Sequence, residues 1–324
     1  MFKKISFRRL TNFLVLGLFT FLMIGACNAG STPEANTVAS TENCRMIQHA
    51  AGETCVPNNP QRIVTLSLDT LGNVLPLGVK PIASANENVG ESYSYFPDEQ
   101  VQGIQTVGDP TQTNIEAILN LKPDLIFGWG GYNPEGIYPQ LSKIAPTVLY
   151  HWQDDTWQNI FKFTAEVLGK QTEGQAVLER YEARIQELKT ALGNRYQDKT
   201  ISVVYFYFGT IGSVVKNSAQ AMVLSDVGLK RPKAQDVVVE PWGNIEFSEE
   251  EISKADGDVL FAITFKEDDA QFLKQLEQKP LWKTLKAVQQ NQVHVVNGKH
   301  WNAYNIMAVN AVIDDLFKYL VGTP

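Results

Sequence analysis

Short apolar runs alternate with helical stretches along most of the chain. Residues 62–68 (RIVTLSL) and Leu125–Trp129 (LIFGW) are rich in β-branched and large apolar residues, which predicts buried strands. Between these two runs, apolar residues in 114–121 recur at helical spacing, and Pro123 ends that helix. Since strands that alternate with helices form parallel βαβ units, the pattern predicts an α/β fold.

The same pattern continues over the rest of the chain. Further strands are predicted at 81–85, 147–150, 201–208, 259–263 and 293–296. Further helices are predicted at 137–144, 221–227, 249–254, 271–276 and 308–320.

One long helix divides this pattern into two halves. Apolar residues in 172–192 step by 4, 4, 3 and 4 positions, and Thr172 followed by Gln175 predicts a capping box. A helix of this length spans about 30 Å, which is enough to cross a small protein. Strands and helices resume after it, so we predict an N-terminal α/β lobe at 44–171 and a C-terminal α/β lobe at 193–324, joined by this helix.

Residues 1–26 have the pattern of a secretory signal peptide. Four basic residues precede an apolar stretch that is shorter than the roughly 20 residues of a membrane-spanning helix. The stretch ends in IGAC, which resembles a bacterial lipobox and predicts that Cys27 is lipidated after cleavage. The alternative is an ordinary signal peptide with an incidental cysteine. Residues 27–43 are small and polar, which predicts a flexible tether.

Composition and charge exclude several classes of protein. A chain with 44% hydrophobic and 19% charged residues is globular rather than disordered or collagenous. The formal charge is −7, and removing the four basic residues of 1–26, a segment that has no acid, makes it −11. Because there is no long basic run, nucleic acid is not a predicted partner. An anionic ligand would have to be recognised by local groups.

Cys44 and Cys55 enclose the segment CRMIQHAAGETC, in which Gly52 favours a turn between two short arms. An exported protein permits disulfides, so we predict a bond across this hairpin. Chain-entropy reasoning gives such a short loop about 3 kcal/mol of stabilisation. The alternative is a pair of reduced thiols.

Motifs of catalysis are missing from the sequence. There is no GxSxG, HExxH or Walker-type glycine loop. The four histidines, His49, His151, His294 and His300, have no ligand partner at close helical or strand spacing. We therefore predict a binding protein that is not an enzyme and has no protein metal site.

Aromatic residues cluster where predicted strands end. In open parallel sheets ligands bind outside the carboxyl ends of the strands, and aromatic rings there supply contact area with a polar group. The pattern therefore predicts a shared ligand cleft, although each ring could equally be a core residue. The aromatic residues at strand ends are Trp129, Tyr132, Trp152, Trp157, Tyr205, Tyr207, Trp242, Trp301 and Tyr304.

Several segments resemble one family. The chain is similar to the helical-backbone class (class III) of ABC-importer substrate-binding proteins in RIVTLSLDTLGNVLPLGVKPIASA, NIEAILNLKPDLIF, LSKIAPTV and FSEEEISKAD. Members bind ferric siderophores, haem or cobalamin. The resemblance covers nearly the whole mature chain and implies two Rossmann-like lobes joined by a single long α-helix.

The resemblance also implies a function and partners. It implies a monomeric, lipid-anchored protein of the cell envelope or periplasm, which captures a ferric siderophore and delivers it to an ABC permease and its ATPase. In the family one glutamate on each lobe docks on permease arginines, and the matching residues are Glu116 and Glu250. Glu249 or Glu251 could take the place of Glu250, because three acids stand in a row.

Ligand residues follow from the same resemblance. Gly131-Tyr132-Asn133-Pro134 is similar to the turn of hydroxamate-siderophore binders whose tyrosine contacts the ligand, and Trp242 matches their pocket tryptophan. The chain departs from the family at Asp109, where an arginine is expected, and Arg231 is the predicted replacement unless it belongs to a solvated basic loop. Hydroxamate-type and citrate-type chelates are favoured, with no cofactor, because the iron arrives inside the siderophore.

Two other classes of function stay open from the sequence. Haem would need an axial Tyr or His in the cleft, for which Tyr132, His151 and His300 are candidates, and cobalamin is a further cargo of the same family. From a different class, the chain could be an exported hydrolase with a pair of carboxylates.

Overall fold

The computed structural model describes residues 43–86, 96–130, 134–150, 156–207, 209–239 and 244–322. From residue 43 onward these residues belong to one compact unit. The predicted signal peptide, Cys27 and most of the predicted tether lie outside the described residues.

A five-stranded, all-parallel sheet is the centre of the N-terminal lobe. Its strand order is β5-β4-β3-β8-β9. The sheet strands are β3 (Ile63–Thr65), β4 (Ala83–Ser84), β5 (Gln105–Thr106), β8 (Leu125–Trp129) and β9 (Thr147–Tyr150). The helices around it are α1 (Leu68–Val74), α2 (Asp98–Val101), α3 (Ile115–Leu121), α4 (Pro134–Leu141) and α5 (Trp157–Leu168). Two small antiparallel ribbons complete the lobe, formed by β1 (Cys44–His49) with β2 (Gly52–Pro57) and by β6 (Gly108–Asp109) with β7 (Gln112–Thr113).

The C-terminal lobe also has a five-stranded sheet, but this sheet is mixed. Its order is β12-β11-β10-β13-β14, in which β10, β13 and β14 are parallel and β11 and β12 are antiparallel. The strands are β10 (Ile201–Tyr207), β11 (Thr210–Val214), β12 (Asn244–Phe247), β13 (Val259–Thr264) and β14 (Val293–Asn297). The helices are α7 (Ala219–Val227), α8 (Glu267–Leu276), α9 (Lys286–Gln289), α10 (Gly298–Trp301) and α11 (Ile306–Leu316), with 3-10 turns at Glu249–Ala255 and Trp282–Thr284.

The linking helix α6 (Gln171–Leu192) is present as predicted from its apolar spacing. Its buried residues include Val177, Tyr181 and Ile185, and one hydrophobic cluster runs from the N-terminal sheet across this helix into the C-terminal sheet. The predicted fold class, two α/β lobes joined by one long helix, is confirmed.

The predicted capping box of this helix is wrong. Helix α6 begins at Gln171, so Thr172 already has a helical position and does not cap it. The first turn is instead closed by an ion pair 2.8 Å long between Lys170 Nζ and Glu173 Oε1.

The amino-terminal hairpin carries a disulfide between Cys44 on β1 and Cys55 on β2, whose Cα atoms are 5.5 Å apart. Arg45 Nη2 donates a hydrogen bond of 2.9 Å to the carbonyl of Val167, at the end of α5. Thr54 Oγ1 donates to the carbonyl of Thr147 on β9 at 3.0 Å. The hairpin is thus fastened to the outer strand of the N-terminal sheet.

Across the described ranges, no helix is both long enough and apolar enough to cross a bilayer.

Candidate ligand-binding site

The carboxyl end of the N-terminal sheet carries a cluster of hydroxyl groups. Ser67 follows β3 and caps α1, because its Oγ accepts the N–H of Thr70 at 3.1 Å. Thr70 Oγ1 lies 2.9 Å from Ser67 Oγ and 3.2 Å from the hydroxyl of Tyr150, the last residue of β9. Burial raises the pKa of Tyr150 well above its usual range, so the phenol stays neutral.

Gly128 allows this cluster to pack closely on β8. It has a φ of 151°, and a Cβ atom there would lie 2.7 Å from Thr70 Oγ1 and 3.0 Å from the nitrogen of Leu66. The next residue, Trp129, pairs with Tyr150 across the sheet and is half-buried against the main core cluster. Trp129 therefore ends its strand beside the hydroxyl cluster.

The carboxyl end of the C-terminal sheet carries aromatic rings instead. Tyr207, the last residue of β10, is 40% exposed and meets Phe265 edge-on with ring centroids 5.0 Å apart. Phe265 directly follows β13, and its ring lies against Gly298, which follows β14. Asp269 accepts the backbone N–H of Phe265 at 3.1 Å and so holds this loop in place. The three parallel strands of this sheet therefore end at a Tyr–Phe pair.

Tyr304 lies where the two lobes meet. Its hydroxyl donates to the carbonyl of Asn217 at 2.5 Å, and its backbone N–H donates to Asp69 Oδ1 at 2.6 Å. Asn217 Nδ2 also donates to the carbonyl of Val239 at 3.1 Å. This bond fixes the backbone next to Val238, whose side chain is exposed. Tyr304 thus connects the segment between α10 and α11 with α1 of the other lobe.

Trp301 was predicted to contact the ligand, and its position in the structure contradicts this prediction. It is fully buried, its ring stacks on Phe261 at 4.8 Å, and its Nε1 donates to Asp315 at 2.7 Å. A ring enclosed in this way belongs to the core of the C-terminal lobe and offers no surface to a ligand. Trp157 and Tyr205 are also buried, as core residues.

Arg231 was predicted to supply the cation that the family has at the position of Asp109, and its position in the structure contradicts this prediction as well. Its Nη2 donates to the carbonyl of Val214 at 2.5 Å and to Gln235 Oε1 at 2.9 Å, and burial lowers its pKa to about 10. Because β11 runs antiparallel to β10, Val214 lies near the amino-terminal half of β10, away from Tyr207. The guanidinium therefore serves the interior of its own lobe and does not replace the cation missing at Asp109.

The other residues predicted to contact the chelate or a haem iron lie in several parts of the chain, and some of them are outside the described residues. Trp129 and Tyr207 are the last residues of their strands, as expected, whereas Tyr304 lies further along the chain, between α10 and α11. Contact of these three residues with a ligand stays a prediction. Tyr132, Trp242 and His151 lie outside the described residues. His300 Nε2 is 2.8 Å from Asp315 Oδ2.

Two residues of this region were missed by the sequence analysis, Phe265 and Asp69. Phe265 obeys the same rule as the others, since it stands one residue past a parallel strand, but only Trp and Tyr were considered there. Asp69 has no local signal, because its partners are more than 230 residues away in sequence.

A separate groove of about 850 Å³ runs along α6. Polar helix side chains from α5 and α6 form most of its wall, among them Gln158, Lys162, Gln175 and Glu182. The described aromatic residues that we assign to the strand ends do not line it, so we do not connect this groove with the site.

The two predicted docking acids are exposed, one on each lobe. Glu116 is in the first turn of α3, whose start is capped by Asn114 Oδ1 accepting the N–H of Ala117 at 2.9 Å. Glu250 is in the first turn of the 3-10 segment Glu249–Ala255, and hydrogen bonds from its own backbone and from Ser248 lower its pKa.

The neighbours of Glu250 are engaged within the lobe. Glu249 pairs with Lys279 at 3.2 Å, and Glu251 pairs with Lys254 at 2.5 Å. The ion pairs formed by the described residues do not include Glu250. Of the three consecutive acids, Glu250 is therefore the most available to a partner.

In the part of the chain that the structure describes, no three His, Cys, Asp or Glu side chains come close enough together to hold a metal ion.

Comparison with known proteins gives a consistent result. The family model described as "Periplasmic binding protein" matches residues 63–298. The probable siderophore-binding lipoprotein YfiY of Bacillus subtilis is 34% identical over 320 residues, covering 94% of this chain and 98% of the relative. The Fe(3+) dicitrate-binding periplasmic protein FecB of Escherichia coli is 28% identical over 284 residues, covering 86% and 91%.

Among solved structures, Staphylococcus aureus SirA complexed with staphyloferrin B has a TM-score of 0.75 and 29% sequence identity, and the match covers 85% of this chain and 98% of SirA. The fold, the matched length and the relatives agree, and they confirm the resemblance to the helical-backbone class of substrate-binding proteins. The chain belongs to the periplasmic binding protein family.

Proposed function

We propose that this chain is an extracytoplasmic substrate-binding lipoprotein of an ABC importer, which captures a ferric siderophore and delivers it to the membrane permease. The observation that carries the proposal is the direct contact between the lobes at Tyr304, whose backbone N–H donates to Asp69 next to the hydroxyl cluster, while the C-terminal sheet ends at the Tyr207–Phe265 pair. Relatives named for siderophores and for ferric citrate support this class of ligand.

In this proposal the iron stays inside its chelate. Trp129, Tyr207, Phe265 and Tyr304 supply ring surface to the chelate, and the buried hydroxyl cluster beside Tyr150 holds the end of the N-terminal sheet in place behind them. Burying a ligand against aromatic rings with a few polar groups is typical of preformed pockets. Hydroxamate-type and citrate-type chelates are the favoured ligands, and the relatives do not favour haem, cobalamin or an exported hydrolase.

A ligand screen tests this proposal directly. We expect ferric citrate or a ferric hydroxamate to quench tryptophan fluorescence saturably, while the iron-free siderophore and cobalamin do not. A haemin complex with a shifted Soret band, or turnover of the chelate during incubation, would contradict the proposal.

Delivery is proposed to use Glu116 and Glu250, which meet arginines of the permease. Paired carboxylate–guanidinium contacts on two rigid lobes fix the orientation of the complex. We expect the double variant Glu116→Ala, Glu250→Ala to abolish uptake while ferric-chelate binding stays unchanged. The matched control is Glu249→Ala with Glu251→Ala, which removes two acids already paired within the lobe. Equal loss of uptake in both variants would contradict the assignment of Glu250.

The proposal places the protein in the cell envelope as a monomer. Cys27 is the proposed site of lipidation, and the lipid would hold the protein at the membrane near its permease and ATPase.

A further inference from the structure

Asp69 makes a contact between the two lobes that does not pass through the linking helix. Its Oδ1 accepts the backbone N–H of Tyr304 at 2.6 Å and the side-chain N–H of Asn305 at 3.1 Å. Asp69 belongs to α1 of the N-terminal lobe, and its partners stand between α10 and α11 of the C-terminal lobe. One carboxylate oxygen therefore holds two groups of the other lobe.

Neighbouring residues reinforce this contact. Asn73 Oδ1, one turn further along α1, accepts the N–H of Ile306 at 3.0 Å. Gly72 leaves room for Asn305, because a Cβ atom at Gly72 would lie 2.3 Å from Asn305 Oδ1. Asn305 also caps α11, since its Oδ1 accepts the N–H of Ala308 at 2.9 Å. Asn73 and Asn305 are fully buried, so these bonds form without competition from water.

The contact lies beside the candidate site. Asp69 stands between Ser67 and Thr70 of the hydroxyl cluster, and its partner Tyr304 is bonded through its hydroxyl to Asn217. Tyr304 is thus held at its backbone by one lobe and at its side chain by the other.

We propose that Asp69 is a positioning residue, which clamps the lobes together beside the candidate site and sets where the Tyr304 ring lies. The clamp follows from the contacts alone, whereas its effect on a ligand rests on the proposed function. In the described part of the chain the lobes are joined by α6, by the clamp and by apolar packing such as that of Met307 against the cluster around Leu71. A hinge motion about α6 would have to break the Asp69 bonds, so the chelate binds at a fixed angle between the lobes.

An acid in the first turn of a helix is often explained by the helix dipole. That explanation does not account for this carboxylate, because Oδ1 receives its hydrogen bonds from the other lobe. The geometry also provides a conservative variant. In Asp69→Asn the amide oxygen can replace Oδ1 and accept both bonds, whereas Asp69→Ala removes the acceptor.

Hydrogen exchange of the full chain purified in detergent tests the clamp without a ligand. For Asp69→Ala we expect the backbone amide of Tyr304 to exchange about tenfold faster or more, because it loses its hydrogen-bond acceptor. Asp69→Asn should stay within about threefold of the wild type. The matched control is Asp258→Ala, which removes a carboxylate bonded to Thr200 and Lys286 within one lobe.

The outcomes separate a clamp from general destabilisation. Unchanged exchange at Tyr304 in Asp69→Ala would overturn the proposal. An equal acceleration at Tyr304 in Asp258→Ala would overturn it as well, since the effect would then be global.

Ferric citrate is the probe for the positioning role. We expect Asp69→Ala to release it about tenfold faster, and Asp69→Asn to release it nearly as the wild type does. Faster hydrogen exchange at Tyr304 together with an unchanged rate of ferric citrate release would overturn the positioning role. A wild-type protein that does not bind ferric citrate would contradict that choice of ligand and leave the clamp to be decided by exchange alone.

Discussion

The carboxyl ends of the two sheets differ in the way they are held. In the N-terminal lobe, Ser67, Thr70 and Tyr150 form hydrogen bonds with one another, and Gly128 lets them pack against β8. In the C-terminal lobe, Tyr207 and Phe265 touch edge-on, and Tyr207 remains 40% exposed. One end is fixed by directional bonds, whereas the other is fixed by ring contacts that tolerate small shifts.

This difference suggests a division of roles within one site. Hydrogen-bonded groups are costly to displace, so the N-terminal end would be the more rigid part of the proposed site. Aromatic rings gain contact area in several orientations, so the C-terminal end is suited to adapt to the shape of a chelate. Substitutions at the N-terminal end should therefore reduce stability most, and exposed positions at the C-terminal end should affect binding most.

The largest effect on stability is expected at Trp301. Comparing it with Tyr207 separates the role of a core ring from that of an exposed ring in the same lobe. Trp301→Ala should lower the free energy of unfolding by about 4 kcal/mol, because it leaves a large cavity. Tyr207→Ala, the matched exposed ring, should cost less than about 1 kcal/mol and weaken ferric-chelate binding about tenfold. Urea unfolding and fluorescence titration measure the two effects. A stable Trp301→Ala variant with weakened binding would reverse our assignment.

The second-largest effect on stability is expected at a glycine, and we compare one glycine at the carboxyl end of each sheet. Gly128→Ala should cost about 3 kcal/mol, because its φ of 151° is unfavourable for alanine and its Cβ would meet the backbone at Leu66. Gly298→Ala should cost about 1 kcal/mol, because the obstructing atoms belong to the Phe265 ring, which can move. Urea unfolding of both variants tests this order. Equal losses would show that the rings are held as firmly as the hydrogen-bonded cluster.

The smallest effect concerns pH and compares one carboxylate from each lobe. Burial raises the pKa of Asp69 in the folded protein above the value of about 3.9 that an aspartate has in the unfolded chain. Its contribution to stability is therefore greatest below the unfolded pKa and is lost as the pH rises through the folded pKa. For Asp258, hydrogen bonds from Lys286 and Thr200 outweigh burial and lower the pKa, so its contribution is present above that value and is lost as the pH falls.

Urea midpoints across pH 3 to 8 test these signs. Asp69→Asn should remove part of the loss of stability on the alkaline side, and Asp258→Asn should remove part of the loss on the acidic side. Identical pH profiles for the two variants would contradict the opposite signs.

Local patterns predicted much of the fold. Strands β8 and β9 occur at the predicted residues, because continuous apolar runs bounded by Pro123 and Pro146 leave few alternatives. Helix α5 was missed, although Thr156 caps it and Gly169 ends it, because Trp157 was interpreted as a residue at a strand end. The fully buried face of that helix, rather than a ligand, explains the tryptophan.

The mixed sheet shows where local reasoning fails. Strands β11 and β12 are short and lie beside loops, so the alternation predicted only parallel units in the C-terminal lobe. The reversal at β11 places Val214, and with it Arg231, toward the wrong end of the sheet for ligand binding. A charge in a loop sequence cannot indicate its end of the sheet until the strand directions are known.

Contacts within the site were the least predictable part. Strand-end reasoning correctly placed Trp129 and Tyr207 at the ends of their strands, because these positions follow from short segments, whereas Tyr304 is separated from β14 by α10. The bond from Tyr304 to Asp69 joins residues that are 235 positions apart, and a local pattern has no information about such a pair.

The disulfide-bonded hairpin determines how the folded body would respond to mechanical load. A pull on the amino end would pass from Cys44 through the covalent bond to Cys55 and then spread to α5 and β9 through Arg45 and Thr54. That route stays on the outer side of one sheet and does not run through α1 or Tyr304. Tension applied at residue 43 would therefore be borne first by the hairpin, and the contact between Asp69 and Tyr304 would not lie in its path.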